Sequence, residues 1–158
     1  MRFYLLALAI ILLCVCFQDA WPYWLRLAGQ SPALVVAVIA CLGLLRGAAD
    51  GCLAGLVGAL LLAGSGHVAL GGLSLSYMAL GTSAGLLRGT LFAERLLVAV
   101  LIAAVGVIAT NILQMLFVPP REFVVWLGDT LASAAFTALV TPLLFWLARL
   151  TKPPERLP

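Results

Sequence analysis

Six apolar blocks alternate along the chain with short segments of charged, glycine or proline residues. The blocks cover residues 3–17, 33–45, 52–63, 73–87, 96–118 and 123–148. With their flanking residues they predict spans over about 3–19, 32–46, 50–64, 72–88, 96–118 and 123–148, before a short polar tail over 149–158. One membrane-spanning helix needs about 20 mostly apolar residues. The pattern therefore predicts an all-α fold, a single transmembrane domain built as a six-helix polytopic bundle.

The composition supports a membrane location. Hydrophobic residues make up 65% of the 158 residues and charged residues only 9%, with a mean hydropathy of +1.19. An ordinary soluble domain has about 45 to 50% apolar and about 25% charged residues. Because this small number of charged residues cannot cover a water-facing surface, most of the outer surface is expected to face the lipid bilayer. The nine basic residues form no run, which argues against binding to nucleic acid.

The positions of the basic residues predict the orientation. With six spans and a cytoplasmic N-terminus, seven of the nine basic residues lie inside: Arg2, Arg46, Arg88, Arg95, Arg149, Lys152 and Arg156. Arg26 and Arg121 lie outside. This distribution follows the positive-inside rule and places both termini in the cytoplasm.

A five-span alternative makes residues 31–63 one helix and places the N-terminus outside. Its distribution of basic residues also follows the positive-inside rule, so charge alone does not distinguish five spans from six. A helix of that length would measure about 50 Å, against a hydrocarbon core of about 30 Å. Arg46 and Asp50 would lie near its middle at a cost of several kcal/mol. Six spans are favoured, although glycines recur every four residues through the proposed turn, as on one helical face: Gly43, Gly47, Gly51 and Gly55.

A catalytic interpretation is possible but weak. Residues 81–85 match the G-x-S-x-G pattern around Ser83, and the chain has one histidine, His67. His67 belongs to the loop at the opposite membrane face, roughly 20 Å away along the helix axis, whereas a base must approach its nucleophile to about 3 Å. The glycines at 81, 85 and 89 fit small-xxx-small helix packing better. We expect no enzyme activity, cofactor or metal, and we interpret the four cysteines as small hydrophobic residues.

Polar residues inside the last two spans are more informative. Asp129, Ser133, Thr137 and Thr141 recur every four residues and share one face of the sixth span. Thr110, Asn111 and Gln114 cluster on the fifth span at about the depth of Asp129. Asp129 must be hydrogen-bonded by neighbours, reached by water or protonated, and Asn111 and Gln114 are its nearest candidate partners. The cluster predicts either interhelical hydrogen bonds of about 1 kcal/mol each or part of an outward-facing pocket or partner contact.

The order and spacing of several short motifs resemble one family, the rod-shape-determining protein MreD family. The motifs are Phe17-Gln18, Trp21-Pro22, Ser31-Pro32-Ala33-Leu34, Leu45-Arg46-Gly47, the stretch 51–58, Gly64-Ser65-Gly66, Leu70-Gly71, and 86–92. The similarity covers nearly the whole chain and is clearest over residues 17–97. One departure is that family members usually carry an aspartate late in the third span, where this chain has Leu60-Leu61-Leu62.

The resemblance implies a non-enzymatic component of the bacterial cell-wall elongation complex in the cytoplasmic (inner) membrane. It implies binding to the single-span scaffold MreC and, through it, to the RodA glycosyltransferase, its class-B penicillin-binding transpeptidase and the MreB filament. The family's fold is similar to the substrate-binding (S) subunits of energy-coupling-factor vitamin transporters, which supplies a transport alternative. The residues expected at helix-packing or partner interfaces are Gly51, Gly55, Gly81, Gly85, Asn111, Gln114, Asp129 and Ser133.

Overall fold

The computed structural model describes residues 2–22, 31–64, 70–88, 96–120 and 122–150. These residues form six helices: α1 (Arg2–Asp19), α2 (Leu34–Arg46), α3 (Ala48–Gly64), α4 (Leu70–Leu87), α5 (Leu96–Met115) and α6 (Phe123–Arg149). The described ranges contain no strand. The all-α class is confirmed, and the helix bounds differ from those predicted by at most three residues. The predictions for Arg26, His67, Gly89, Arg95, Arg121 and residues 151–158 of the polar tail fall outside the described residues.

A tight turn at Gly47 separates α2 from α3. Gly47 has a φ of +108°, in the left-handed region that favours glycine. Its N–H donates to the Gly43 carbonyl at 2.8 Å, and the N–H of Gly51 donates to the Gly47 carbonyl at 2.9 Å. A Cβ added at Gly58 would lie 2.9 Å from Val35 Cγ1, so α3 folds back along α2. The alternative of one continuous helix over residues 31–63 is wrong.

Helix α2 is the centre of the bundle. Every residue from Leu34 to Leu45 is buried, and α2 contacts each of the other five helices. A helix that is apolar on all sides must be enclosed by protein or lipid. With 13 residues, α2 is only about 20 Å long, shorter than a hydrocarbon core of about 30 Å. Its neighbours enclose it, so its length need not match the bilayer.

The other helices surround α2 in the order α1, α3, α4, α5, α6, and consecutive helices in the chain run antiparallel. Helices α5 and α6 are long and apolar enough to cross a membrane, and α1, α2 and α3 are shorter apolar helices. The bundle has two ends. Helices α1, α3 and α5 finish and α2, α4 and α6 begin at one of them, which we call the cavity end because a polar cavity lies there. The arginine end carries Arg46, Arg88 and Arg149.

The α3/α4 contact brings two backbones unusually close. A Cβ added at Gly51 would overlap the Gly81 carbonyl, and one added at Gly81 would overlap that of Gly51. A Cβ at Gly55 would overlap the Tyr77 carbonyl, and one at Gly85 would overlap the Ala48 backbone. The four glycines at the predicted interface positions therefore lie at one helix contact inside the chain, where no side chain fits between the backbones.

Charged side chains join four helices at the arginine end. Arg46 Nε lies 2.8 Å from Asp50 Oδ2, and the Arg46 side chain is only 8% exposed. Its guanidinium carbon lies 4.5 Å from the centroid of the Tyr4 ring, a cation–π distance. Arg88 Nη1 donates to the carbonyl of Arg46 at 3.0 Å. Arg46 thus connects α1, α2, α3 and α4 where the α2–α3 turn is made.

Candidate functional site

A polar cavity of about 540 Å³ lies at the cavity end, beside the start of α2. All six helices or their flanking residues contribute to its wall. The polar lining residues are Gln18, Asp19, Ser31, Tyr77, Thr110, Asn111, Gln114, Trp126, Asp129, Thr130 and Ser133. Apolar residues complete the wall, namely Ala33, Val36, Leu62, Leu73 and Val107. The cavity is possible because α2 is short, which leaves the end of the surrounding helices unfilled.

Side chains from two other helices cap the start of α2. The first amides of a helix have no partner within the helix, and the residue before α2 is Ala33, whose side chain cannot accept a hydrogen bond. The N–H of Ala33 donates to Thr137 Oγ1 at 2.9 Å, and that of Val35 donates to Gln18 Oε1 at 3.3 Å. The start of α2 is therefore fixed by α6 and by α1.

Helix α6 carries a polar stripe, which faces α2 and consists of Asp129, Ser133, Thr137 and Thr141. Thr137 and Thr141 are fully buried and donate back to the carbonyls of Ser133 and Thr137, each at 2.7 Å. Ser133 Oγ donates to the carbonyl of Ser31 at 3.4 Å. Asp129 is the stripe residue nearest the start of α6, and it lines the cavity. The stripe thus changes along α6 from a structural contact with α2 to part of the cavity wall.

The sequence indicates a hydrogen bond between Asn111 and Asp129, but in the structure Asn111 bonds to the residue that follows Asp129. Asn111 Nδ2 donates to Thr130 Oγ1 at 3.3 Å. Adjacent helical residues point about 100° apart, so Thr130 faces α5 while Asp129 faces the cavity. In the described ranges, no hydrogen bond or ion pair reaches the side chains of Asp129 or Gln114. The structure therefore brings Asn111, Gln114 and Asp129 to one cavity without joining them directly.

Three residues line this site although the sequence pattern did not indicate them: Tyr77, Trp126 and Gln18. Tyr77 lies on α4, is only 5% exposed and lines the cavity. Within the described segments its hydroxyl has no hydrogen-bond partner. The single tyrosine in the middle of α4 is the signal that could have identified it, because a buried tyrosine hydroxyl usually needs a polar neighbour.

A second concave surface, the α1/α3 groove, has a volume of about 250 Å³ and is almost entirely apolar. It is lined by Tyr4, Ala7, Leu8, Ile11, Leu42, Leu53, Ala54 and Val57, with Arg46 and Asp50 at its arginine end. Two alanines form part of its wall, and Leu8 and Leu53 are 43% and 57% exposed. Its shape suits a close-packed helix or a lipid chain.

Ser83 makes a local hydrogen bond. Its Oγ donates to the carbonyl of Leu80 at 2.9 Å, within its own helix. His67, the base of the catalytic alternative, lies outside the described residues. Among the described residues, no group of three or more His, Cys, Asp or Glu side chains could hold a metal ion. The four cysteines are free, with Cys14 and Cys41 buried.

The assignment of a function rests on the cavity, the groove and the sequence pattern. Comparison of the chain with protein-family models, with curated proteins and with solved structures finds no match.

Proposed function

We propose that this chain is a non-enzymatic, multi-pass scaffold in the bacterial cytoplasmic membrane. In this proposal it belongs to the cell-wall elongation complex, where it maintains rod shape and supports peptidoglycan synthesis by binding an MreC-type single-span protein. The sequence resemblance to the MreD family suggests the function. The α1/α3 groove is the structural observation that carries it.

The exposed faces of the outer helices support six membrane crossings. On α5, Leu97, Leu101 and Val105 are 75%, 64% and 61% exposed, at four-residue intervals. On α6, Leu139 and Leu143 are 77% and 68% exposed. Apolar stripes of this length are unfavourable in water and favourable in lipid. The basic residues of the arginine end support a cytoplasmic location for that end, in accordance with the positive-inside rule.

The groove supports binding of a partner's transmembrane helix. In lipid, helices associate by close packing, and small residues allow backbones to approach. Ala7 and Ala54 provide such positions between α1 and α3, with Leu8 and Leu53 available for side-chain contact. In this proposal the single span of the MreC-type partner occupies the groove. The RodA glycosyltransferase, its class-B penicillin-binding transpeptidase and the MreB filament are then reached through that partner.

Filling the groove is expected to weaken partner binding. Leu53→Trp places a larger side chain in the groove while keeping an apolar surface, and Leu139→Trp is the matched control on the lipid-facing side of α6. We expect the Leu53 variant to recover roughly tenfold less MreC-type partner from native membranes, which corresponds to a loss of about 1.4 kcal/mol at the interface. The control is expected to recover the same amount as the wild type. Equal recovery by both variants would contradict the assignment of the groove.

The polar cavity favours a second candidate function. A cavity of about 540 Å³ lies within the size range of small-molecule sites, about 300 to 1,000 Å³. An S-type subunit of a vitamin transporter would use such a cavity to capture its substrate. Co-purification separates the two functions, because an S-type subunit would be isolated with an energising ATPase module and a scaffold with elongation proteins.

A further inference from the structure

The polar cavity contains several polar groups that no neighbour satisfies. Tyr77 is about nineteen-twentieths buried, at 5% exposure, and its hydroxyl has no hydrogen-bond partner in the described part of the chain. The Asp129 carboxylate and the Gln114 amide, both half-buried on the cavity wall, also have no hydrogen-bond partner in the described segments. No fully buried side-chain N or O atom in these segments lacks a partner, so the polar atoms of these three side chains are accessible. Polar groups without a protein partner are satisfied by water or by a ligand. Three such groups lining one cavity indicate that it accommodates water or a polar ligand.

The charge of the lining side chains selects the kind of ligand. Among the lining residues that the structure describes, two are acidic, Asp19 and Asp129, and none is a lysine, arginine or histidine. Asp19 has an interaction of its own, so Asp129 provides the available negative charge.

The helix dipoles do not reverse the preference for a positively charged ligand that this carboxylate creates. Three helices end at the cavity and three begin there, so their partial charges oppose one another. The amides of Ala33 and Val35 at the start of α2 are already bonded to Thr137 and Gln18. The cavity therefore favours a cation over an anion.

The rest of the wall suits an organic cation rather than a bare metal ion. Tyr77 and Trp126 contribute aromatic rings, which attract ammonium groups through their π faces. Val36, Leu62 and Leu73 contribute apolar surface for carbon atoms. The volume of about 540 Å³ exceeds what a single hydrated metal ion needs. One carboxylate, two aromatic rings and an apolar wall match an alkylammonium group.

We propose that this cavity binds an organic ammonium ion, with Asp129 neutralising the charge and Tyr77 and Trp126 contacting the ammonium group. The ammonium could belong to a free small molecule or to a lipid headgroup, and both present the same chemistry. The proposal goes beyond the scaffold function and does not depend on which partner occupies the α1/α3 groove.

The test uses the full chain and choline as the probe. Purified protein in detergent is titrated with choline chloride at constant ionic strength, with binding followed by calorimetry and by tryptophan fluorescence. The uncharged analogue, in which carbon replaces the choline nitrogen, is titrated in parallel. For the lipid arm, thermal unfolding is compared in nanodiscs of phosphatidylcholine and of phosphatidylglycerol. Three variants accompany the wild type: Asp129→Asn, Tyr77→Phe, and Glu122→Gln as an exposed acidic control just before α6.

For a free ligand, we expect choline to bind saturably to the wild type, and we expect Asp129→Asn to weaken this binding roughly tenfold or more. The neutral analogue is expected to bind at least about tenfold more weakly than choline, and Glu122→Gln to bind like the wild type. For a lipid ligand, phosphatidylcholine is expected to stabilise the wild type but not Asp129→Asn. If that variant does not fold, Tyr77→Phe provides the second measurement, with weaker binding at an unchanged unfolding temperature. Equal binding of the neutral analogue, unchanged binding in both cavity variants, or no effect in either arm would overturn the proposal.

Discussion

Gly81→Ala is expected to destabilise the bundle more than any other single methyl addition described here. The added Cβ would overlap the carbonyl carbon and oxygen of Gly51 and lie 3.2 Å from the Cys52 nitrogen. Backbone atoms cannot move aside as a flexible side chain can, so α3 and α4 must separate along their closest contact. We expect a loss of about 3 kcal/mol in the free energy of unfolding, measured as a lower unfolding temperature in detergent and a lower level in membranes.

Gly128→Ala is the matched control for this prediction. Gly128 lies on α6, and a Cβ there would meet no atom within 4 Å. Because alanine favours helix by up to about 1 kcal/mol over glycine, this variant is expected to be as stable as the wild type or more stable. If Gly81→Ala and Gly128→Ala unfold at the same temperature, the close approach of α3 and α4 is incorrect.

The second large effect is expected at Arg46 and Asp50. Removing one partner of an enclosed ion pair leaves the other charge without compensation. We expect Arg46→Met or Asp50→Leu to cost about 2 to 3 kcal/mol, less than a fully buried pair, since the Asp50 side chain is 24% exposed. Loss of the Tyr4 contact contributes to the effect of the arginine substitution.

The double variant shows whether the pair acts as a unit. When both charges are replaced by apolar residues, no charge remains uncompensated. Arg46→Met combined with Asp50→Leu is therefore expected to be more stable than either single variant, by about 1 kcal/mol or more. Strictly additive losses in thermal unfolding would show that the two side chains act independently.

The number of helices could be predicted from the sequence because charges and turn residues separate the apolar blocks. The turn between α2 and α3 was the difficult position, where four glycines at four-residue spacing imitated one helical face. That spacing reflects packing: Gly43 and Gly51 lie on either side of the turn, and a Cβ at either position would crowd the Gly81 carbonyl of α4. Gly47 makes the turn itself through its positive φ.

The arrangement of the helices could not be predicted in the same way. All six helices are apolar, so composition does not show that α2 is the enclosed one. The short length of α2 was visible, but its consequence, a cavity beside its start, depends on which helices surround it. The sequence predicts that Asn111 and Asp129 lie at about the same depth. The angle between neighbouring residues on α6, however, determines that Thr130 receives the hydrogen bond.

Cysteine labelling directly tests the proposed six membrane crossings, with the arginine end in the cytoplasm. Single cysteines are introduced at two exposed turn positions, Ala49→Cys beside the α2–α3 turn and Pro119→Cys between α5 and α6, in a chain whose four native cysteines are replaced by alanine. In intact spheroplasts, a membrane-impermeant maleimide is expected to label position 119 at once and position 49 only after the membrane is permeabilised. Labelling of both positions from the same side, or recovery of the chain in the soluble fraction, would contradict the account.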